Sequence, residues 1–369
     1  MTTVRDRRTA LFETASPTPG GVVVTPGPAL RYLADYAYDV EAHGVDHPCF
    51  LAVAPDGTAG LVVPALERDR AAEAAVAVDT VVGYDTPTEV GAALETVASS
   101  RSLSPPVGVV PAWLSLADRD RLRDGLDDPA LVDVTSALVA GRSRKDPDEV
   151  AALSRAAGVA ETVLDAVLAT IDVGMTEVAV DRALKRRAVD TPADRYGVGV
   201  VTSGPRTADN YADPTDRALA DGDLVLVDTG VVVDGYWADV TRTVALGDPG
   251  DAVREMHAAV LAANRAAREA ARAGMTTGQL DGVARDVIAD AGFGDAFPTD
   301  LGHGIGLEAH EPPTLAPGGD RRLAPGHVVT IEPGVYVEGV GGVRIEDEVV
   351  IREDGAEGLT HADRSLRIA

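Results

Sequence analysis

Four acidic side chains stand in β-rich runs where valine or isoleucine would be expected: Asp228 in DLVLVDTGVVVDG, Asp239 in GYWADVTRT, Glu332 in VVTIEPGVYVEG and Glu346 in GVRIEDEVV. Asp and Glu are poor strand formers, and a carboxylate among apolar neighbours is costly unless its charge is compensated. Two such groups facing one another would push up the pKa of one of them, whereas divalent cations shared between bridging carboxylates remove the conflict. With one imidazole added, the donor set suits two hard cations about 3.5 Å apart. HGIGLEAHEPP, running from His303 to Pro313, supplies that imidazole, and its glycines let the backbone approach a ligand closely while His303 and His310 project from one irregular segment. The chain carries 59 acidic residues, so an arbitrary Asp or Glu is a solvated surface charge and only spacing selects these four.

The elements that must position them are legible as an internal repeat. VGMTEVAVDRAL at 173–184 returns as AGMTTGQLDGVA at 273–284, with Thr276 and Gln279 forming a capping box, and LADGDLVLVDTGVVVDG at 219–235 returns as LAPGHVVTIEPGVYVEG at 323–339. Asp228 then falls opposite Glu332 in two helix-plus-hairpin halves. In the first half Asp234-Gly235 is a favoured two-residue turn, which pairs Val233 with Tyr236 and Asp228 with Thr241, and puts Asp228, Thr241 and Asp239 on one face. In the second half a two-residue turn at Glu338-Gly339 would send Glu332 and Glu346 to opposite faces. The extra glycines of VEGVGGVRIEDE predict an odd-length loop or a bulge that restores a common face.

Upstream, Asp146, Pro147, Asp148 and Glu149 form a helix start where a second domain, 145–369, is expected to begin. Residues 1–140 alternate short apolar runs, Cys49–Ala54 and Gly60–Val63, with helical stretches such as Leu116–Leu126, as in a small α/β domain. His43 and His47 are four apart, but Gly44 lies between them and no acidic partner is placed to make a metal site. His257, His327 and His361 read as structural.

The 369 residues carry a net charge of −26 with Lys145 and Lys185 as the only lysines, so nucleic acid and anionic membranes would be repelled. No run reaches the length of a membrane span, and the start does not read as a secretory signal, so a cytoplasmic location is expected. Cys49 is the single cysteine, which leaves oxygen and nitrogen as metal donors. Such acidity, with arginine in place of lysine, points to a halophilic protein kept soluble in concentrated salt.

VDTG, YWADVTRT, GHGIGLEAHEPP, TIEPGVY and GVRIEDE together resemble the proline-specific metallopeptidases of the pita-bread fold, Xaa-Pro dipeptidase and aminopeptidase P. The resemblance covers about 145–369 and, more loosely through GPALRYLADY, the first domain. It implies an α/β (α+β) fold, a creatinase-like domain at 1–140 followed by a pseudo-two-fold catalytic domain at 145–369, and hydrolysis of small peptides at an Xaa-Pro bond. It further implies two divalent ions, manganese first and cobalt, zinc or iron as alternatives, held by Asp228, Asp239, His303, Glu332 and Glu346, with a bridging hydroxide as nucleophile. Glu332 would also accept a proton, His310 would contact substrate and steady the tetrahedral intermediate, and Arg344 would orient Glu346 and, with Tyr211 and His310, bind substrate. A homodimer is implied as well. The family histidine of the stretch SGPNAALPH is replaced here, where the chain reads SGPRTADNY and places Tyr211. Tyr211 and Arg206 beside the substrate motivate an alternative, a hydrolase or lyase acting on a small osmolyte-like molecule. A catalytically silent binding module is a third reading, set against the complete ligand set.

Overall fold

The computed structural model describes residues 3–38, 44, 46–74 and 78–366, and the chain forms two compact units, Met1–Arg142 and Ser143–Ala369. In the first, the apolar runs become a six-stranded mixed sheet. Its strands are β1 (Gly21–Val24), β2 (Phe50–Val53), β3 (Ala59–Pro64), β4 (Thr80–Tyr84), β5 (Val107–Val109) and β6 (Leu131–Asp133), in the order β4-β3-β2-β1-β5-β6. β2 lies antiparallel to both β1 and β3, and the outer pairs are parallel. Strands whose residues are buried throughout, such as β2 and β3, read as continuous apolar runs because helices cover the sheet. Val23, Phe50, Val62, Leu94, Val97 and Leu122 form that core, and the Cys49 thiol is buried. His43 lies outside the described residues.

The second unit opens with the helix Pro147–Leu168, where Asp146 accepts from the N–H groups of Asp148 and Glu149 and Glu149 caps in return. The repeat is visible in its hydrogen bonds. Thr176 caps the helix Glu177–Val189 and Thr276 caps Thr277–Asp290, the latter reciprocally with Gln279. Gly174 donates to Leu219 O at 2.8 Å and Gly274 to Leu323 O at 2.9 Å, while Leu219 donates back to Met175 and Leu323 back to Met275. Both glycines have φ near +90°, a conformation that disfavours any side chain and sets the same entry into each half.

The first half builds a three-stranded antiparallel sheet, β7 (Arg195–Ser203), β8 (Leu224–Val233) and β9 (Tyr236–Ala245). Asp234 and Gly235 both adopt positive φ, as a type I′ turn requires, and the register pairs Val233 with Tyr236 and Asp228 with Thr241 as expected. The second half contains β10 (Gly302–Gly304), β11 (Glu311–Leu315), β12 (Val328–Ile331), β13 (Gly334–Val337), β14 (Gly341–Arg344), β15 (Asp347–Ile351) and β16 (Ala356–Gly358), with one sheet ordered β11-β10-β12-β15-β16 and β13 paired with β14. Val337 faces Gly341, so the connection is a three-residue loop, the odd length anticipated from the glycines. The register continues unchanged from Val337↔Gly341 to Ile331↔Asp347, which brings Glu332 and Glu346 opposite one another. The second-half core gathers Leu280, Ala284, Ile288, Val329, Ile331, Val343, Ile345 and Val349 behind these strands. No helix among the described residues is long and apolar enough to cross a membrane.

Candidate metal centre

The two hairpins meet along a seam that carries the acidic residues. Glu346 donates its N–H to Thr241 O at 3.1 Å, and Arg344 and Thr243 exchange two bonds, Arg344 N–H to Thr243 Oγ1 at 3.1 Å and Thr243 Oγ1 to Arg344 O at 3.0 Å. Where the β12–β15 ladder breaks beside the two glutamates, buried Asn264 donates to Ile331 O at 3.1 Å and Ile345 O at 3.3 Å, and Glu332 N–H reaches Leu301 O at 2.8 Å. Backbone groups that a regular strand would satisfy are thus paired by other means, and the glutamates stay in register.

Along this seam lies a cavity of about 780 Å³ whose wall includes Asp228, Asp239, His303, Glu332 and Glu346, together with His310, Arg344 and Tyr211. Ligand atoms of Asp239, His303 and Glu346 lie within 4.8 Å of one another. His303 Nε2 is 3.2 Å from Glu332 Oε1, and its Nδ1 is 3.0 Å from Gly304 O, which places the proton of the neutral ring on Nδ1 and leaves the Nε2 lone pair available to a cation. The His310 ring lies 3.9 Å from that of His303, centroid to centroid. Asp228 Oδ1 and Asp239 Oδ1 are buried without a hydrogen-bond partner. Carboxylate oxygens of Asp239 and Glu346 beside the His303 imidazole form the donor chemistry of a hard or borderline divalent cation, so this triad fits such an ion, and Asp228 and Glu332 line the same cavity.

The electrostatics lead the same way. Burial, then the nearby charges of Glu346, Asp228 and Glu332, hold the Asp239 carboxyl well above its ordinary range. Burial, then Glu332 and Asp228, do the same to Glu346, with Arg344 and the Thr241 hydrogen bond pulling back. For Glu332 burial pushes up, but the hydrogen bond and charge of His303 and the charge of Arg344 outweigh it, so this carboxyl is held below its ordinary range. The same contact raises His303 against the downward push of burial. Burial, reinforced by His303, lowers His310 and keeps it neutral near pH 7. Asp239 and Glu346 are thus the two carboxyls whose ionisation is disfavoured without added positive charge.

Arg344 differs from expectation in its partner. Its Nη2 donates to Asp228 Oδ2 at 2.6 Å, its Nη1 to the Tyr336 hydroxyl at 3.0 Å and its Nε to Thr241 Oγ1 at 3.1 Å, and its hydrogen bonds reach Glu346 through that threonine, whose hydroxyl donates to Glu346 Oε2 at 2.6 Å, while its charge acts on Glu346 directly. Arg344 ends β14, and its guanidinium reaches across the seam to Asp228 and Thr241 of the first hairpin. Arg206 also departs from the reading that placed it beside a substrate. Its Nε lies 3.3 Å from both oxygens of buried Glu177 and its Nη2 donates to Asp213 O, so it braces the segment before β8. Tyr211 lies 88% exposed on the cavity wall, with its N–H bonded to Asp209. His327 is buried and accepts from Ala324 N–H at Nδ1, and His257 is buried as well.

Sequence reasoning missed Glu348, Asn264, Tyr336 and the buried pair of Lys145 and Glu311. Glu348 is fully buried, accepts the Asp239 N–H at 2.6 Å, and is pushed up to about 8 by burial. Its alternation with Glu346 in RIEDEVV was the available signal, since i and i+2 share a strand face.

A pseudo-symmetric pair of hairpins that gathers carboxylates and an imidazole around one cavity defines a metallohydrolase class of site. The comparisons give the family: residues 151–353 match Metallopeptidase family M24 and residues 19–144 match the Creatinase/Prolidase N-terminal domain, and the chain belongs to this family. An Xaa-Pro dipeptidase of Pyrococcus furiosus is 38% identical over 226 residues, 60% of this chain and 64% of that protein, so the matched stretch spans just under two thirds of that relative. Dipeptidase PepE from Mycobacterium ulcerans is 34% identical, with 100% of this chain and 98% of that one covered at a TM-score of 0.83. An X-Pro aminopeptidase from Thermotoga maritima MSB8 is 27% identical, with 99% and 100% covered at 0.89.

Proposed function

We propose that the chain is a two-metal peptidase that hydrolyses small peptides at an Xaa-Pro bond, as a dipeptidase or aminopeptidase. The observation that carries the reading is the convergence of ligand atoms from Asp239, His303 and Glu346 within 4.8 Å, one from the first hairpin and two from the second half, in the cavity that Asp228 and Glu332 also line. These five residues are the proposed ligands, and the oxygen-rich set with one imidazole suits manganese, with cobalt, zinc or iron also compatible. When bound, two divalent ions supply an activated water at neutral pH and polarise the scissile carbonyl.

The protein's own groups do the rest. Glu332 is ionised because His303 and Arg344 hold its carboxyl down, so its Oε atoms can take the proton that the attacking water releases. His310, neutral through burial, donates a ring N–H to the oxygen on which charge develops. Arg344 fixes Asp228 directly and Glu346 through Thr241. Tyr211 contributes an exposed wall against which a substrate can pack. A homodimer, a cytoplasmic location and a salt-adapted surface belong to the same proposal, the last resting on the net charge of −26.

Purified protein given manganese or cobalt and a panel of Xaa-Pro dipeptides and longer Xaa-Pro peptides, in high salt, is expected to release the amino-terminal residue. Bound metal with no release from any peptide would overturn the assignment.

A further inference from the structure

Lys145 is one of two lysines in a chain whose other basic side chains are arginines, and it is buried. Its Nζ lies 3.0 Å from Glu311 Oε2, with the two side chains 1% and 4% exposed. The other oxygen, Glu311 Oε1, accepts the Glu308 N–H at 3.1 Å. Gly306 is pressed against the pair, where a Cβ would stand 2.8 Å from Glu311 Oε2 and 2.9 Å from Lys145 Cε. Lys145 is itself anchored outside the histidine loop, through its N–H to Gly326 O at 2.7 Å. Glu311 directly follows His310 and pairs with Gly304, the residue after His303.

The segment 305–310 therefore runs between two histidines and is held at its middle and at its end by one buried carboxylate. A buried carboxylate is tolerable only with its cation, and a buried ammonium only with its anion, so each member keeps the other in place. Lysine suits the position because its compact head fits beside a glycine, where a guanidinium fork would not.

We infer that the Lys145–Glu311 pair is a positioning device that sets the His310 ring against His303 and the substrate carbonyl. Glu311 borders the cavity, but its two carboxylate oxygens are engaged by Lys145 Nζ and the Glu308 N–H, so the pair acts through the loop. The kinetic part of this inference rests on the role proposed above for His310, whereas the holding of the loop does not.

The test uses the metal-loaded full chain as wild type, as Lys145→Met/Glu311→Gln, as His310→Ala and as the triple variant. The double variant removes both charges together, so no uncompensated ion stays buried, and Gln retains an acceptor for Glu308 N–H. Hydrogen exchange is read over residues 304–311 and over β8–β9, and kcat, KM and metal content are measured on an Xaa-Pro dipeptide. In the double variant, amides of 304–311 should exchange about tenfold faster while β8–β9 stays unchanged. Its kcat should fall about tenfold with KM within about twofold and metal content retained. On the His310→Ala background the same two changes should cost no further kcat, because residues acting through one group are not additive. Unchanged exchange over 304–311 overturns the inference even for a protein inert towards Xaa-Pro peptides. Full kcat in the double variant, a loss that multiplies with His310→Ala, or a parallel loss of metal overturns it in an active one. An inactive wild type with faster loop exchange in the double variant would sink the peptidase reading while supporting the clamp.

Discussion

Thr241 Oγ1 lies 2.6 Å from Glu346 Oε2, so a hydroxyl on the first hairpin holds a carboxylate of the second half. The same oxygen accepts Arg344 Nε at 3.1 Å, and Arg344 turns back to Asp228 at 2.6 Å. Asp228, Arg344, Thr241 and Glu346 form one chain of hydrogen bonds across the seam. The two halves are thereby coupled at the carboxylates rather than only through their hydrophobic cores.

Thr241→Val keeps the shape of the strand and removes that link. It leaves Arg344 Nε without an acceptor and Glu346 with one donor fewer, a loss of about 1–3 kcal/mol in stability. Metal affinity should fall about tenfold or more, as expected when a group that orients a ligand is removed. Titration of metal-free protein with manganese, read by calorimetry, checks it.

Arg344→Lys is not conservative here. Three N–H groups reach Asp228, Tyr336 and Thr241 in different directions, which an ammonium on a flexible stem cannot reproduce. The variant should bind metal about 10–100-fold more weakly and lose kcat in parallel. Unchanged metal affinity would show that Asp228 is positioned by its strand alone.

Metal removal should become more damaging as pH rises. Asp239 and Glu346 have folded-state pKa values raised above their ordinary 3.8 and 4.5, so the folded metal-free protein binds more protons than the unfolded chain, and its stability falls as pH climbs from about 4 through the folded values. His303, also raised, loses its contribution as pH rises through its folded value, and the lowered Glu332 works in the opposite sense below the ordinary carboxylate range. Bound cations remove the penalty on Asp239 and Glu346. The gap in Tm between manganese-loaded and chelator-treated protein should therefore widen from pH 5 to pH 8, as a scan of thermal denaturation in constant salt would reveal.

Glu348→Gln isolates one group of this kind. The Glu348 carboxyl, at about 8, stays protonated near neutrality, and its contribution is lost as pH rises from 4.5 through that value. The amide variant keeps an acceptor for Asp239 N–H and has no proton to lose. Its Tm should match wild type near pH 4 and exceed it by a margin that grows from pH 5 to about pH 8.

Tyr211→His replaces an exposed phenol at the cavity wall with a group that exchanges protons near neutral pH. Hydrolysis of Xaa-Pro dipeptides should rise about tenfold or more in kcat/KM, within the span that a proton-handling group contributes, with metal content unchanged. No gain would mean that the pocket, and not this side chain, limits the reaction.

The sequence by itself determined the repeat, the type I′ turn at Asp234-Gly235, the odd loop after Val337 and so the faces on which Asp228, Asp239, Glu332 and Glu346 lie. These are local properties: strand alternation, positive φ and glycine spacing are written within a few residues of each acid. Tertiary structure alone decided who meets whom across the seam. That Arg344 grips Asp228, that Glu348 receives the Asp239 N–H, that Asn264 satisfies Ile331 and Ile345, and that Lys145 reaches Glu311 from 166 residues away depend on how two hairpins and their helices dock. Such contacts are set by burial and by the need to pair every charge taken from water, and neither quantity exists until the chain has folded.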